Sequence, residues 1–427
     1  MIWLIYNLLF PIGFLFMLPK FISRMLRRGG YGRHFEQRLG IFGRGVKAQL
    51  AGGGRIWIHA VSVGELFIAL RYIEEHRRLH AGVKFVLSTT TSTGHALAGK
   101  KLHPDDILIY FPVDLPVIIR RVFNLIRPQQ LILVEGEFWP NLVRRARKLG
   151  IPVALINGRV SDSSFKGYMR LRPFTRRLLE MIDPVCVQSK RDAERIIKMG
   201  ARPETVKILG TAKYDLPPPS PDAAVAARNV LNSISVPENA LILLGGSTWP
   251  GEEAALCRVY KKLREKIPAL FLVLVPRHAE RRDEIVKAID AENLSFVLRS
   301  KKIDAASPRP DVLVIDTTGE LMNFYAVADL VFVGKSLCEH GGQNPIEPAL
   351  FGKAIIVGPN MENFPLVMDD FRTAGAICQV ADVSEFAAAV EKYLIDSAAR
   401  AQLGTAAAGV VERNRGVITK MVTMTDS

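Results

Sequence analysis

From residue 55 onward, short apolar runs alternate with stretches whose apolar positions recur at helical spacing. RIWIHAV (55–61) leads into a predicted helix over 66–79, and KFVLSTT (84–90) into one near 94–101. ILIYFPVD (107–114), QLILVEGE (130–137), IPVALING (151–158) and DPVCVQS (183–189) continue the series. Strands alternating with helices at this spacing predict a parallel sheet covered on both faces. LPPPSP (216–221) interrupts both patterns and reads as a linker, because proline breaks helix and strand alike. A second series follows: ALILLGGS (240–247), LFLVLVPRH (270–278), SFVLRS (295–300), DVLVIDT (311–317), LVFVGKS (330–336) and AIIVGP (354–359). The tail 383–425 is helical by composition. The pattern predicts an α/β chain of two doubly wound, Rossmann-like halves, 20–215 and 223–427, joined by a linker over 216–222. A cleft between the halves, at the C-terminal ends of both sheets, is the expected site.

The first residues break the pattern. Residues 1–19 carry no charged side chain, whereas 20–55 hold nine Lys and Arg against the single acid Glu36. An apolar run of about 18 residues is at the lower limit for spanning a bilayer, and basic residues after it stay cytoplasmic. The expectation is an uncleaved N-terminal membrane anchor over 1–19, with the body on the cytoplasmic face. The competing form is an interfacial helix, since Pro11 and Gly13 interrupt the run. A cleaved signal peptide would want a positive start and a small-residue cleavage site, and has neither. The 427 residues suffice for two domains, and a net charge of +15 calls for an anionic partner: nucleic acid, a membrane surface or a phosphorylated substrate. Cys186, Cys257, Cys338 and Cys378 are too scattered for a disulfide framework or a zinc site, which suits a reducing compartment.

Candidate chemistry collects after the strands. HGGQNPIEP (340–348) has a glycine pair that admits close backbone approach, then Asn344 as a helix cap, Pro345 as first helical residue and Glu347 three positions after the cap. Such a loop suits a phosphate at the helix start, and Glu347 the hydroxyls of a ribose. GGSTWPGEE (245–253) is a capped helix or a phosphate loop. Arg277 in VPRH is a phosphate contact or a solvated arginine. Thr317 and Glu320 in TTGELMNFY fit a capping box. There is no Walker motif, no G-x-G-x-x-G after a strand and no D-x-D pair, so no metal site is expected, and a single phosphate needs none. In the first half, Glu65 in HAVSVGE is either the acid of a capping box with Ser62 or a general base, with Gly64 opening space beside it. Glu135 and Glu137 in VEGEFWPN are two acids at one strand end, costly if buried unpaired. Arg159 and Lys166 in NGRVSDSSFKGY could wall an anionic acceptor. Lys213 in GTAKYD is either a surface lysine or a group at the domain junction.

Taken in order, VSVGE, EGEFWPN, NGRVSDSS, GTAKYD, GGSTWPGEE, PRH, GEL and GGQNPIEPA resemble the 3-deoxy-D-manno-octulosonic acid (Kdo) transferases of Gram-negative bacteria, over nearly the whole chain. The resemblance implies a GT-B glycosyltransferase fold and inverting transfer of Kdo from CMP-Kdo to a lipid A precursor, the tetraacyl disaccharide bisphosphate lipid IVA. It implies no metal, no cofactor and no nucleic acid, and contact with anionic inner-membrane lipids. Carried residue by residue, it makes Glu65 the proton acceptor and gives Glu135 and Lys213 transition-state stabilisation. Pro276, Arg277, Gly319, Glu320, Leu321, Asn344, Pro345, Ile346 and Glu347 become CMP contacts. Trp249-Pro250 and Gln343 depart from it, standing where the family commonly has histidine. Two rival readings share the fold: a transferase using a UDP-sugar on a lipid acceptor, and a non-catalytic membrane protein that binds acidic glycolipid.

Overall fold

The computed structural model describes residues 3–13, 16, 34–301 and 308–426. They form two compact units, Met1–Asp215 with Gly416–Ser427, and Leu216–Arg415.

The first unit holds β1 (Ile56–Ala60), β2 (Phe85–Thr89), β3 (Ile107–Tyr110), β4 (Gln130–Val134), β5 (Val153–Gly158), β6 (Val185–Val187) and β7 (Val206–Ile208). They make one sheet in the order β3-β2-β1-β4-β5-β6-β7, with every pairing parallel. Its central strands are mostly apolar because both faces are covered. Trp57, Leu131, Leu133 and Leu155 enter one core cluster, while Ile56, Ile58, Ile132, Val134 and Ile156 enter the other. Successive side chains point to opposite faces, so one unbroken run feeds two cores. The pattern misses only β7. It is a short edge strand with Lys207 and Ile208 exposed, and so leaves no apolar run to read.

The second unit holds β8 (Leu241–Thr248), β9 (Leu270–Pro276), β10 (Phe296–Leu298), β11 (Val312–Val314), β12 (Leu330–Val333), β13 (Ala354–Val357) and β14 (Cys378–Gln379). Their order is β10-β11-β9-β8-β12-β13-β14, again parallel. β14, two residues long, is the missed edge here. In each sheet the strand order reverses once, between β1 and β4 and between β8 and β12. Loops leaving the C-terminal ends of strands diverge at such points and leave room for a ligand.

One boundary differs from expectation. The final helix, Val417–Thr425, belongs to the first unit and not to the second half of the chain. Val417, Ile418, Met421 and Val422 join the core cluster of β1 and β4, and Tyr72 Oη meets Thr425 Oγ1 at 2.6 Å. Asp215 pins the helix start: its carboxylate accepts from Gly416 N at 2.6 Å and Ile418 N at 2.5 Å. Full burial of such side chains contributes about 1.5–3 kcal/mol each, which explains why the chain returns to close the first core.

Among the described residues no helix is long and apolar enough to cross a membrane. The expected anchor is described only in part; residues 1–2, 14–15 and 17–19 lie outside the described residues, as do 20–33 of the basic stretch. Residues 3–13 are helical and dock on the first unit. Tyr6 Oη donates to Asp114 Oδ2 at 2.9 Å, Asn141 Nδ2 donates to Asn7 Oδ1 at 2.7 Å, and Trp3 packs on Phe174 with ring centroids 5.3 Å apart. The opposite face of this helix is apolar and exposed at Leu4, Ile5, Leu8, Leu9 and Ile12.

Candidate active site

At the reversal between β1 and β4, the first unit gathers five charged side chains. Glu65 opens the helix Val63–Leu79, and the capping box read from the sequence is present: Ser62 Oγ accepts from Glu65 N at 3.2 Å. The Glu65 carboxylate returns the bond by accepting from Ser62 N at 3.3 Å and from Val61 N at 2.9 Å, and the side chain is buried. Glu135 follows β4 in the left-handed region, at φ 59°. Burial raises its carboxyl, as does the charge of Glu65, while Arg159, Lys213 and Asn157 oppose the rise. Glu137, two residues on, is pushed up to about 7, by burial first and by Glu65 and Glu135 after it. Trp139 Nε1 donates to Glu137 Oε2 at 2.8 Å and works the other way. Lys213, on the turn Ala212–Tyr214, is lowered by burial and by Arg159, against the pull of Glu135. A cavity of about 820 Å³ bordered by His76, His80, Gln130, Asp183 and Asp426 lies at the other, N-terminal edge of this sheet and holds none of these groups.

Asn157 ties the cluster together. It is the penultimate residue of β5, at φ 53°, and is fully buried. Its Nδ2 donates to Glu135 Oε1 at 3.2 Å, and its Oδ1 accepts from Ala212 N at 3.0 Å, beside Lys213. One amide thus positions an acid from the end of β4 and the turn that carries the lysine. The sequence reading passed over it. Its only local signal is an asparagine before glycine at a strand end, a pair that also marks ordinary turns.

In the second unit, loops after β8, β9 and β12 meet at the reversal between β8 and β12. Arg277 follows Pro276, the last residue of β9, and its backbone N donates to Thr248 O at 3.1 Å. The glycine pair lies in the left-handed region, at φ 113° for Gly341 and 69° for Gly342. A Cβ on Gly342 would stand 2.3 Å from Met361 Sδ, so a side chain there would have to displace the methionine. Asn344 is not the cap: that position falls to Pro345, which has no side-chain cap bond, while Asn344 Oδ1 accepts from Ile346 N at 3.2 Å and its Nδ2 donates to Glu347 Oε1 at 3.2 Å. The helix begins at Ile346, one residue later than expected, and ends at Ala349. So short a helix has little macrodipole to offer an anion at its start. Burial raises the Glu347 carboxyl, opposed by Asn344 and by the Arg277 charge.

The Thr317–Glu320 capping box is a correction. The helix starts at Leu321 with Glu320 as the preceding residue and no side-chain cap. Thr317 Oγ1 instead donates to Glu320 Oε1, and Arg299 Nε donates to Glu320 Oε2 at 3.0 Å. The box failed because Gly319, at φ 94°, turns the chain out of helical conformation before the helix begins. Glu252, which the sequence reading left inside a helix start, is fully buried and accepts four backbone N–H groups. These are Trp249 N and Lys335 N at 2.9 Å, and Ser336 N and Leu337 N at 3.0 Å. It fastens the loops after β8 and β12 to each other.

Residues 33–216 match the family described as 3-deoxy-D-manno-octulosonic-acid transferase (kdotransferase). The Kdo transferase of Haemophilus influenzae is 30% identical over 396 residues, covering 92% of this chain and 90% of that protein. The chain belongs to the Kdo transferase family. A Bordetella pertussis Kdo transferase is 33% identical over 369 residues, covering 84% and 83% of the two chains. Residues 255–410 match glycosyl transferases group 1. Among solved structures, a glycosyltransferase from Rickettsia africae aligns at TM-score 0.58 with 12% identity, covering 87% of this chain and 96% of that one. The Anabaena protein HepE in complex with UDP aligns at 0.56 with 14% identity, covering 86% and 96%. These two likenesses show the GT-B fold. This Kdo transferase is therefore an enzyme of glycosyl transfer, and its candidate residues divide cleanly. Glu135 interacts electrostatically with Glu65, Glu137, Arg159 and Lys213 in the first unit, whereas Lys166 lies exposed on the helix Asp162–Arg170. Arg277, Glu347 and Asn344 are brought together in the second, while Glu320 pairs with Arg299.

Proposed function

We propose that this Kdo transferase moves Kdo from CMP-Kdo to a lipid A precursor, lipid IVA, in lipopolysaccharide synthesis, inverting the anomeric centre without metal and with Glu65 as general base. One observation supports this most: a buried carboxylate, Glu65, held by two backbone N–H groups at a sheet reversal, whose charge acts on Glu135 and Glu137, with Arg159 and Lys213 acting on Glu135 in turn. Glu65 takes the proton of the attacking sugar hydroxyl as the bond to the anomeric carbon forms and CMP leaves with the bonding pair. Lys213 and Arg159 supply positive charge beside the acids and near a phosphorylated acceptor. In the second unit Arg277 neutralises the departing phosphate and Glu347 accepts from the ribose hydroxyls.

Glu65→Gln tests the base. Glutamine still fits the capping box, so the helix start survives while the proton acceptor is lost. The expected result is loss of turnover with CMP affinity unchanged by calorimetry. Near-normal turnover would leave Glu65 as a helix cap alone. For the donor, CMP and not UDP should raise the melting temperature; the reverse would favour a UDP-sugar.

We also place the enzyme at the cytoplasmic face of the inner membrane, held by the N-terminal segment and anionic lipid. Support comes from the exposed apolar face of helix 3–13, where Leu4 is 73% and Leu8 66% exposed. The net charge of +15 supports it too.

A further inference from the structure

The loop after β12 contains a lysine in a place that suits glycine. Lys335 has φ 60°, in the left-handed region, where a side chain strains the backbone and glycine does not. The surroundings enforce this conformation. Glu252 Oε2 accepts from Lys335 N at 2.9 Å, and Lys335 O accepts from Gly342 N at 2.9 Å. The backbone bonds would serve a glycine equally well, so they do not explain the side chain.

The side chain is held as deliberately as the backbone. Its ammonium lies 4.5 Å from the centroid of the Trp249 indole, a cation–π contact. Among the described residues that ammonium meets the indole face and no carboxylate. Trp249 is itself braced: its N donates to Glu252 Oε2 at 2.9 Å, and its ring stands edge-on to His278 with centroids 5.3 Å apart. A Cβ placed on Gly341 would be 3.6 Å from Lys335 Nζ, so the ammonium sits beside the glycine pair. An indole face steadies a cation without cancelling its charge, as a carboxylate would. The ammonium therefore stays available to an anion.

We infer that Lys335, steadied over Trp249, is a donor-binding cation that takes an anionic oxygen group of the nucleotide-linked sugar acid, either its phosphate or its carboxylate. The inference rests on the CMP-Kdo reading given above. It also gives Trp249 a task in this chain, at a position where the family resemblance leads one to expect histidine.

The test uses the full chain and compares Lys335→Gly, Lys335→Met and Lys335→Arg, with transfer kinetics from CMP-Kdo, CMP affinity by calorimetry and melting temperature. Lys335→Gly relieves the left-handed strain and should melt no lower than the parent, yet its donor KM should rise about tenfold, as should that of Lys335→Met. Lys335→Arg should recover most of the loss. If CMP affinity falls in parallel, the phosphate is the partner; if it holds while donor KM rises, the sugar carboxylate is. Both results uphold the inference. Parental KM and CMP affinity in Lys335→Gly and Lys335→Met, in an enzyme that does transfer Kdo, would overturn it and leave the CMP-Kdo reading standing. A parent chain that neither binds CMP nor transfers Kdo would remove both.

Discussion

Two carboxylates carry the residue-scale predictions. Glu347 is held by Asn344 and feels the Arg277 charge, which orients it without consuming both oxygens. Glu347→Ala should weaken CMP binding about tenfold or more, the range for losing hydrogen bonds to a charged group. Unchanged affinity by calorimetry would remove the ribose contact. Glu137 has a folded-state value of about 7, above the ordinary 4.5 of the unfolded chain. Its contribution to stability is therefore fully present below about 4.5 and lost as pH rises through about 7. Glu137→Gln keeps an acceptor for Trp139 Nε1 and never ionises. It should melt a few degrees higher than the parent at pH 8 and equally at pH 4.5; an equal difference at both pH values would refute the assignment. Glu65, Glu135 and Glu137 were legible as acids at strand ends, because strand, turn and cap chemistry are local. Asn157 and Glu252 were not, since each is defined by partners far away in the chain, at 135 and 212 and at 335–337.

Elements show the same division. Among the described residues, twelve of the fourteen strands coincide with apolar runs, and the two missed ones, β7 and β14, are short edges with little buried surface. The last helix is the instructive case. Its apolar positions declare that it covers something, but both sheets offer apolar faces, and periodicity does not choose between them. Asp215 and the side chains of Tyr72 and Gln130 choose: Gln130 Nε2 donates to Thr425 O at 2.6 Å. Deleting 416–427 should then damage the first unit, not the second. Truncation strips Val417, Ile418, Met421 and Val422 from a shared core, at about 1.5–3 kcal/mol each. Hydrogen exchange should quicken in β1 and β4 while β8 and β12 keep their protection. Loss of protection in β8 instead would put the helix on the wrong unit.

For the whole molecule, charge and one apolar face decide the prediction. A net charge of +15 acts on anionic bilayers over about 8 Å at physiological ionic strength, so it recruits but does not hold at high salt. The exposed Leu4, Leu8 and Ile12 would hold by burial, which salt does not weaken. The chain should float with anionic vesicles and lose only part of that binding in high salt, whereas Leu4→Glu with Leu8→Glu should make the remainder salt-labile. Binding abolished by salt in the parent would leave no role for the apolar face. The sequence by itself determined the two parallel-sheet halves, the strand ends that carry the chemistry, and the family, because these follow from short-range periodicity, turn residues and motif order. Only the tertiary structure decided which core the last helix closes, which amide joins Glu135 to the Lys213 turn, and that Lys335 stands in a glycine's conformation over an indole. Those depend on contacts between residues tens to hundreds of positions apart, whose energies exist only once the chain has folded.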